Sequence, residues 1–195
     1  MTDNELIKEI LLGDKEKFRF IVEKYQQMVF RTCMGFVHDR DDAEDLAQDV
    51  FIQAYQSLSR FKGESAFSTW LYRIGVNASL NKLRESPLKI MMQKFEKITG
   101  HKTEIESYPP VADTEDPENI LIRQEHIEWI QRTLGSLPEN QKTAIVLSKY
   151  DDLSQKEIAE IMNTTEGAVE ALLQRAKKNL REKLSGKGKN KSGNP

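Results

Sequence analysis

The chain of 195 residues has one cysteine, Cys33. That excludes an intrachain disulfide and a zinc site built from thiolates, and leaves Cys33 as a small core hydrophobe on a helix. No apolar run approaches the roughly 20 residues needed to cross a bilayer. The opening Met1-Thr2-Asp3-Asn4-Glu5 carries acid where an export signal carries basic charge, so a cytoplasmic location is expected. There is no internal repeat and no heptad array to join two copies. The acid-rich stretch Asp39–Phe51 has no mid-loop glycine, and its apolar helical period starts too early for a calcium loop.

What is present favours helix. The chain is rich in Leu, Ile, Glu, Lys, Gln and Ala, with 38% hydrophobic and 31% charged residues. Its net charge of -2 hides a strong segregation. Residues 1–59 carry a net -5, residues 60–102 a net +6, residues 103–131 a net -7 and residues 132–195 a net +4. The two basic blocks are suited to phosphate and the acidic ones repel it. Such a chain binds DNA weakly alone and needs help.

Thr2-x-x-Glu5 is a capping box before Leu6, Ile7, Ile10 and Leu11, with Gly13 as a stop. A second helix follows, with Phe18, Ile21, Val22, Tyr25, Met28 and Val29 at helical spacing. A third opens at Asp39–Asp42 and carries Ala43, Leu46, Ala47, Val50, Phe51 and Ala54 on its buried stripe. After the break Phe61–Ser65, a fourth buries Phe67, Trp70, Leu71, Ile74 and Ala78. Leu88, Met91, Met92 and Phe95 add at most a turn or two beyond Pro87. These observations predict an all-α chain of two small helical domains joined by a flexible linker, the C-terminal one containing a helix-turn-helix. The expected divisions are 1–98, a linker over 99–117, a second domain over 118–185 and a disordered basic tail over 186–195.

Three constellations bear on function. Ser154-Gln155-Lys156-Glu157 is a second capping box, followed by Ile158, Ala159, Ile161 and Met162 on one face. Asn163-Thr164 makes a short turn, and Thr165 caps a helix that buries Ala168, Val169, Leu172, Leu173, Ala176 and Leu180. Spacing alone fits an ordinary helical hairpin as well as a helix-turn-helix. The outer face decides: Gln174, Arg175, Lys177, Lys178 and Arg181 offer donors to bases and phosphates. Glu166 and Glu170 repel phosphate, yet a glutamate can accept from cytosine N4.

The second is the helix Ser65–Glu85, where Arg73, Asn77, Asn81 and Arg84 share one face opposite Trp70. Unaided, this reads as a solvated face, but cations mixed with amides also suit nucleic acid, and an exposed aromatic among Phe61, Phe67, Trp70 and Tyr72 can stack on an unpaired base. The third is the acidic run Asp39–Asp49, most of which the helix dipole explains. Asp41-Asp42-x-x-Asp45 matches the motif with which helical prenyl-transferring enzymes hold magnesium. The other aspartate pair, Asp151-Asp152, lies in a turn, and the chain is too short and polar to enclose a prenyl tail. No catalytic group, metal or cofactor is expected.

Taken in order, these segments resemble a bacterial RNA polymerase sigma factor of the extracytoplasmic-function group. The resemblance rests on Asp42–Phe51, on Phe61–Ile74 continued by Asn77, and on Leu137-Pro138-x-x-Gln141 and Leu153-Ser154-x-x-Glu157-Ile158-Ala159. It covers roughly residues 15–85 and 118–184. It implies that Asp42, Asp45, Leu46, Gln48 and Asp49 dock on core RNA polymerase. It implies that Lys62, Ser65, Trp70, Arg73, Asn77, Asn81 and Arg84 take the -10 element while the duplex opens. And it implies that Thr165, Glu166, Glu170, Gln174, Arg175, Lys177 and Lys178 read the -35 element. Core polymerase and promoter DNA are the implied partners, with an anti-sigma factor as a further one, and neither membrane insertion nor a small-molecule substrate is implied. At Glu170-Ala171 many relatives carry a basic residue and a serine, which leaves the fold intact but puts the -35 sequence in doubt. A stand-alone helix-turn-helix regulator explains residues 137–184 equally well, but not the acidic helix followed by an aromatic and basic one.

Overall fold

The computed structural model of the protein describes residues 2–84, 129 and 131–186. The linker expected over 99–117 lies outside the described residues, as do the extra turns at Leu88–Phe95 and all but the first residue of the tail. The start of the second domain expected over 118–185 is described only from residue 131, apart from Trp129.

Every described element is helical. Helix α1 (Asp3–Leu11) starts with the capping box: Thr2 Oγ1 accepts from the Glu5 amide at 3.3 Å, and Glu5 accepts from the Thr2 amide at 2.7 Å. Gly13 follows with φ +117, a left-handed conformation that ends the turn without a Cβ penalty. Helix α2 (Phe18–Val37) ends at His38, itself left-handed with φ 57. Asp39 caps α3 (Arg40–Ser57) by accepting from the Asp42 amide at 2.9 Å. Helix α4 (Phe67–Arg84) follows the loop that starts at Phe61. Helices α2, α3 and α4 enclose one core around Ile21, Ala43, Val50, Ala54 and Leu71, with α1 laid across it through Leu6, Ile7 and Ile10.

The second half comprises α5 (Glu139–Lys149), α6 (Gln155–Met162) and α7 (Glu166–Gly186). The Ser154 capping box starts α6, with the Ser154 hydroxyl accepting from the Glu157 amide at 3.3 Å. Asn163 closes it in the left-handed conformation. Leu147, Ile158, Val169 and Ala176 are fully enclosed at the centre of this unit.

The halves are packed together. Phe36 from α2 and Tyr72 and Val76 from α4 belong to the second core, beside Ile145, Ile158 and Val169. Close approach requires Gly35: a Cβ there would lie 2.6 Å from Val146 Cγ1 and 3.1 Å from the Tyr150 ring. A sequence reading that sorts residues into separate cores has no means of assigning these three side chains, because their partners lie far away in the chain.

Candidate nucleic-acid and protein interfaces

On α3 the apolar stripe faces inward and the acids face outward. Asp45, Gln48 and Asp49 are exposed, and Asp42 is half-buried with Lys82 3.6 Å away. Leu46, expected on the docking surface, is buried in the core and supports the helix from beneath. Two residues missing from the sequence reading continue the outer face, Ile52 and Tyr55, 54% and 37% exposed. The signal for them was available: both are large apolar residues out of phase with the Ala43–Val50–Ala54 stripe. The outer face of α3 is thus acidic at its start and apolar at its end.

The loop before α4 is open to solvent at Lys62 and Gly63, and Gly63 has φ +72. Ser65 is half-buried. Phe61, Phe67 and Trp70 form an aromatic cluster with centroids 5.3–5.4 Å apart, in the tilted or edge-on arrangements aromatic rings prefer. Trp70 is only partly covered, so the cluster reaches the surface beside the loop. Further along α4, Asn77, Asn81 and Arg84 are exposed.

Two cations of this face are engaged by the second half. Arg73 donates from Nε to the Ile161 carbonyl at 3.2 Å and from Nη2 to the Glu160 carbonyl at 2.6 Å. These carbonyls end α6, where the helix dipole favours a cation. Arg84 grips Glu139 with two parallel bonds, Nε to Oε1 at 2.7 Å and Nη2 to Oε2 at 2.5 Å. Its guanidinium holds the Glu139 carboxyl below the usual carboxylate range. Nη1 also donates to Asn81 Oδ1 at 3.3 Å.

Helix α7 presents a different picture. Thr165 Oγ1 accepts from the Ala168 amide at 3.2 Å, fixing the first turn. Glu166, Glu170, Gln174, Arg175, Lys177 and Lys178 are all exposed on its outer side. Val169, Leu173 and Ala176 anchor the opposite side. Asn179 Nδ2 donates to Gln141 Oε1 at 2.8 Å, and Lys183 Nζ donates to the Ser136 carbonyl at 3.3 Å, so α7 is braced along its length. Among the described residues no group of His, Cys, Asp and Glu could hold a metal ion, and no helix is long and apolar enough to cross a membrane.

Residues 21–86 match the model of sigma-70 region 2, and residues 127–180 that of sigma-70 region 4. The chain is 35% identical to the RNA polymerase sigma-H factor of Pseudomonas aeruginosa, over 93% of each chain. It is 34% identical to the ECF RNA polymerase sigma-E factor of Escherichia coli K12, over 94% of this chain and 95% of that one. Among solved structures it is similar to CnrH in complex with the cytosolic domain of CnrY, with a TM-score of 0.61 and 21% identity over 94% of this chain and 97% of the other. It is also similar to the sigma factor RpoE in complex with the anti-sigma factor NepR from Bartonella quintana, with a TM-score of 0.55 and 19% identity over 87% and 98%. At such identities these two show the fold alone. The chain belongs to the sigma-70 family, in its extracytoplasmic-function group. It is a transcription initiation factor that directs RNA polymerase to promoters.

Proposed function

We propose that promoter selection is divided between three surfaces of this chain. The outer face of α3, with Asp42, Asp45, Gln48 and Asp49, docks on core RNA polymerase, and Ile52 and Tyr55 extend it. The loop bearing Lys62 and Ser65, together with Trp70, Arg73, Asn77, Asn81 and Arg84, takes the -10 element and holds a base out of the stack while the duplex opens. Unstacking costs on the order of a few kcal/mol, offset by the aromatic cluster and backbone contacts. Helix α7 lies in the major groove of the -35 element with Thr165, Glu166, Glu170, Gln174, Arg175, Lys177 and Lys178.

The observation that carries this reading is the separation of charge: acid on α3, cations with amides on α4, cations on α7. A protein partner accounts for the acidic patch on a DNA-reading chain. Residues 1–98 would serve polymerase and the -10 element, 99–117 would act as linker, and 118–185 would serve the -35 element. The chain works as a factor without catalytic chemistry of its own, in the cytoplasm where polymerase and DNA meet. An anti-sigma factor is a fitting further partner, since the two structural relatives are held in complexes.

The test is co-elution of the purified chain with bacterial core RNA polymerase, with Asp45→Asn and Asp49→Asn combined as the control. Co-elution that the double variant loses supports the docking face. Normal association of a folded double variant would sink it.

A further inference from the structure

The turn between α5 and α6 puts a carboxylate where it has little company. The Asp151 side chain is 0% exposed, and Arg31 and Thr32 of the first half lie against it. Oδ2 lies 2.9 Å from Thr32 Oγ1 on α2, and Oδ1 has no hydrogen-bond partner. The nearest cation, Arg31 Nε, is 3.8 Å from Oδ1, on a side chain 58% exposed and well solvated. The other titratable groups facing it are the Cys33 thiol on α2, the Tyr72 phenol on α4 and the neighbouring Asp152. None of these adds a second positive charge.

The Thr32 hydroxyl makes the arrangement sensitive to one proton. It also lies 3.0 Å from the Met28 carbonyl, an acceptor only. A hydroxyl has one proton to donate. With Asp151 ionised, carbonyl and carboxylate compete for it and one loses. With Asp151 protonated, the acid donates from Oδ2 to Thr32 Oγ1 while Thr32 donates to the Met28 carbonyl, so the competition ends and the unpartnered Oδ1 no longer carries charge.

We propose that Asp151 is a proton-dependent latch between the two halves: protonated, it completes the network with Thr32 and holds them closed; ionised, it loosens them and yields Arg73 to promoter DNA. The last step rests on Arg73 being a -10 contact. The latch itself rests only on the contact between the halves.

The direction with pH follows. Burial first, with Asp152 adding to it, lifts the Asp151 carboxyl from its ordinary 3.8 to about 6, against the opposing pull of Thr32 and Arg31. Opening returns it to water and to its ordinary value. The closed form therefore binds the proton more tightly, is strongest in acid, weakens as pH rises between those two values, and changes no further above them. The whole difference is about a hundredfold in the closing equilibrium.

The experiment uses the full chain carrying Val76→Cys, which places a thiol on α4 under the second half. Its modification by 4,4′-dithiodipyridine, normalised to a free thiol peptide and resolved by mass spectrometry, reports opening. Modification of buried Cys33 reports unfolding of the first core. The normalised rate at position 76 is expected to rise about tenfold from about pH 5 to about pH 7.5. Asp151→Asn, whose amide can donate to Thr32, should remove that dependence and slow the reaction by up to about a hundredfold at about pH 7.5, with Cys33 no faster. Thr32→Val should lose the latch and speed modification in acid. A rate that ignores pH in the parent chain, or that is unchanged or faster with Asp151→Asn, overturns the latch. Failure of the -10 reading would show elsewhere, as promoter binding unaffected by Arg73→Ala while the trapping rates follow the expected pattern.

Discussion

Helices α4 and α7 both carry the cations and amides proposed to meet DNA, but the fold treats them in opposite ways. On α7 the outer side is open, and Arg175, Lys177 and Lys178 extend into solvent. On α4 the two arginines are occupied, Arg73 by the carbonyls that end α6 and Arg84 by Glu139. One face is ready and the other is held by the first one's own scaffold. Charge pattern describes what a face can bind, whereas packing decides when it is free to do so.

The contact between the halves is most vulnerable at the second core. Ile158→Ala removes a fully enclosed side chain beneath both α6 and the contact with α4. Its cost is expected at about 2–5 kcal/mol, read by thermal or urea unfolding, with α7 losing its support and Arg73 its carbonyl partners. Gly35→Ala targets the contact alone. Overpacking against Val146 should cost about 1–3 kcal/mol of closure, expand the particle in small-angle scattering and leave α2 helical by circular dichroism. An unchanged scattering profile would mean that the contact absorbs a methyl.

Smaller effects sharpen the contrast. Arg175→Ala and Lys178→Ala should each weaken promoter binding, with about 1–3 kcal/mol lost where a base is read and a lower salt slope where a phosphate is held. Unchanged binding and salt slope in both would count against α7 as the reader. Ser154→Ala, which dismantles the capping box, should lower stability by about 1 kcal/mol in the same unfolding assay. Least of all, Glu139→Gln should leave the melting curve unmoved and free Arg84, measured as tighter binding of a -10 oligonucleotide.

Much of this architecture was legible beforehand, for local reasons. Both capping boxes, the Asp39 cap and the Thr165 cap are short-range hydrogen bonds that depend on residues three apart, so the sequence states them directly. The inward stripes of α3 and α7 were equally plain, because helical period is a property of one segment. What could not be read is which surface covers which. Tyr72 and Val76 directly precede Arg73 and Asn77 of a polar face, and only the arrival of the second half explains their burial. Arg73 reads as a solvated or DNA-facing cation, yet its partners are backbone carbonyls, which no side-chain pattern advertises. Asp151 was visible only as half of an acidic pair in a turn. Trp70 and Ile74, expected in the core, are only partly covered, since they lie at the margin where the core stripe meets the surface.

The braces on α7 have a bearing on search speed. Asn179 is tied to Gln141 and Lys183 to Ser136, and at the opposite end Val169 is fully buried while Thr165 and Glu166 stay exposed. A probe that arrives already rigid loses little motional freedom when it meets a groove. If α7 is the -35 reader proposed above, the chain can test one stretch of duplex after another without refolding its reading head each time.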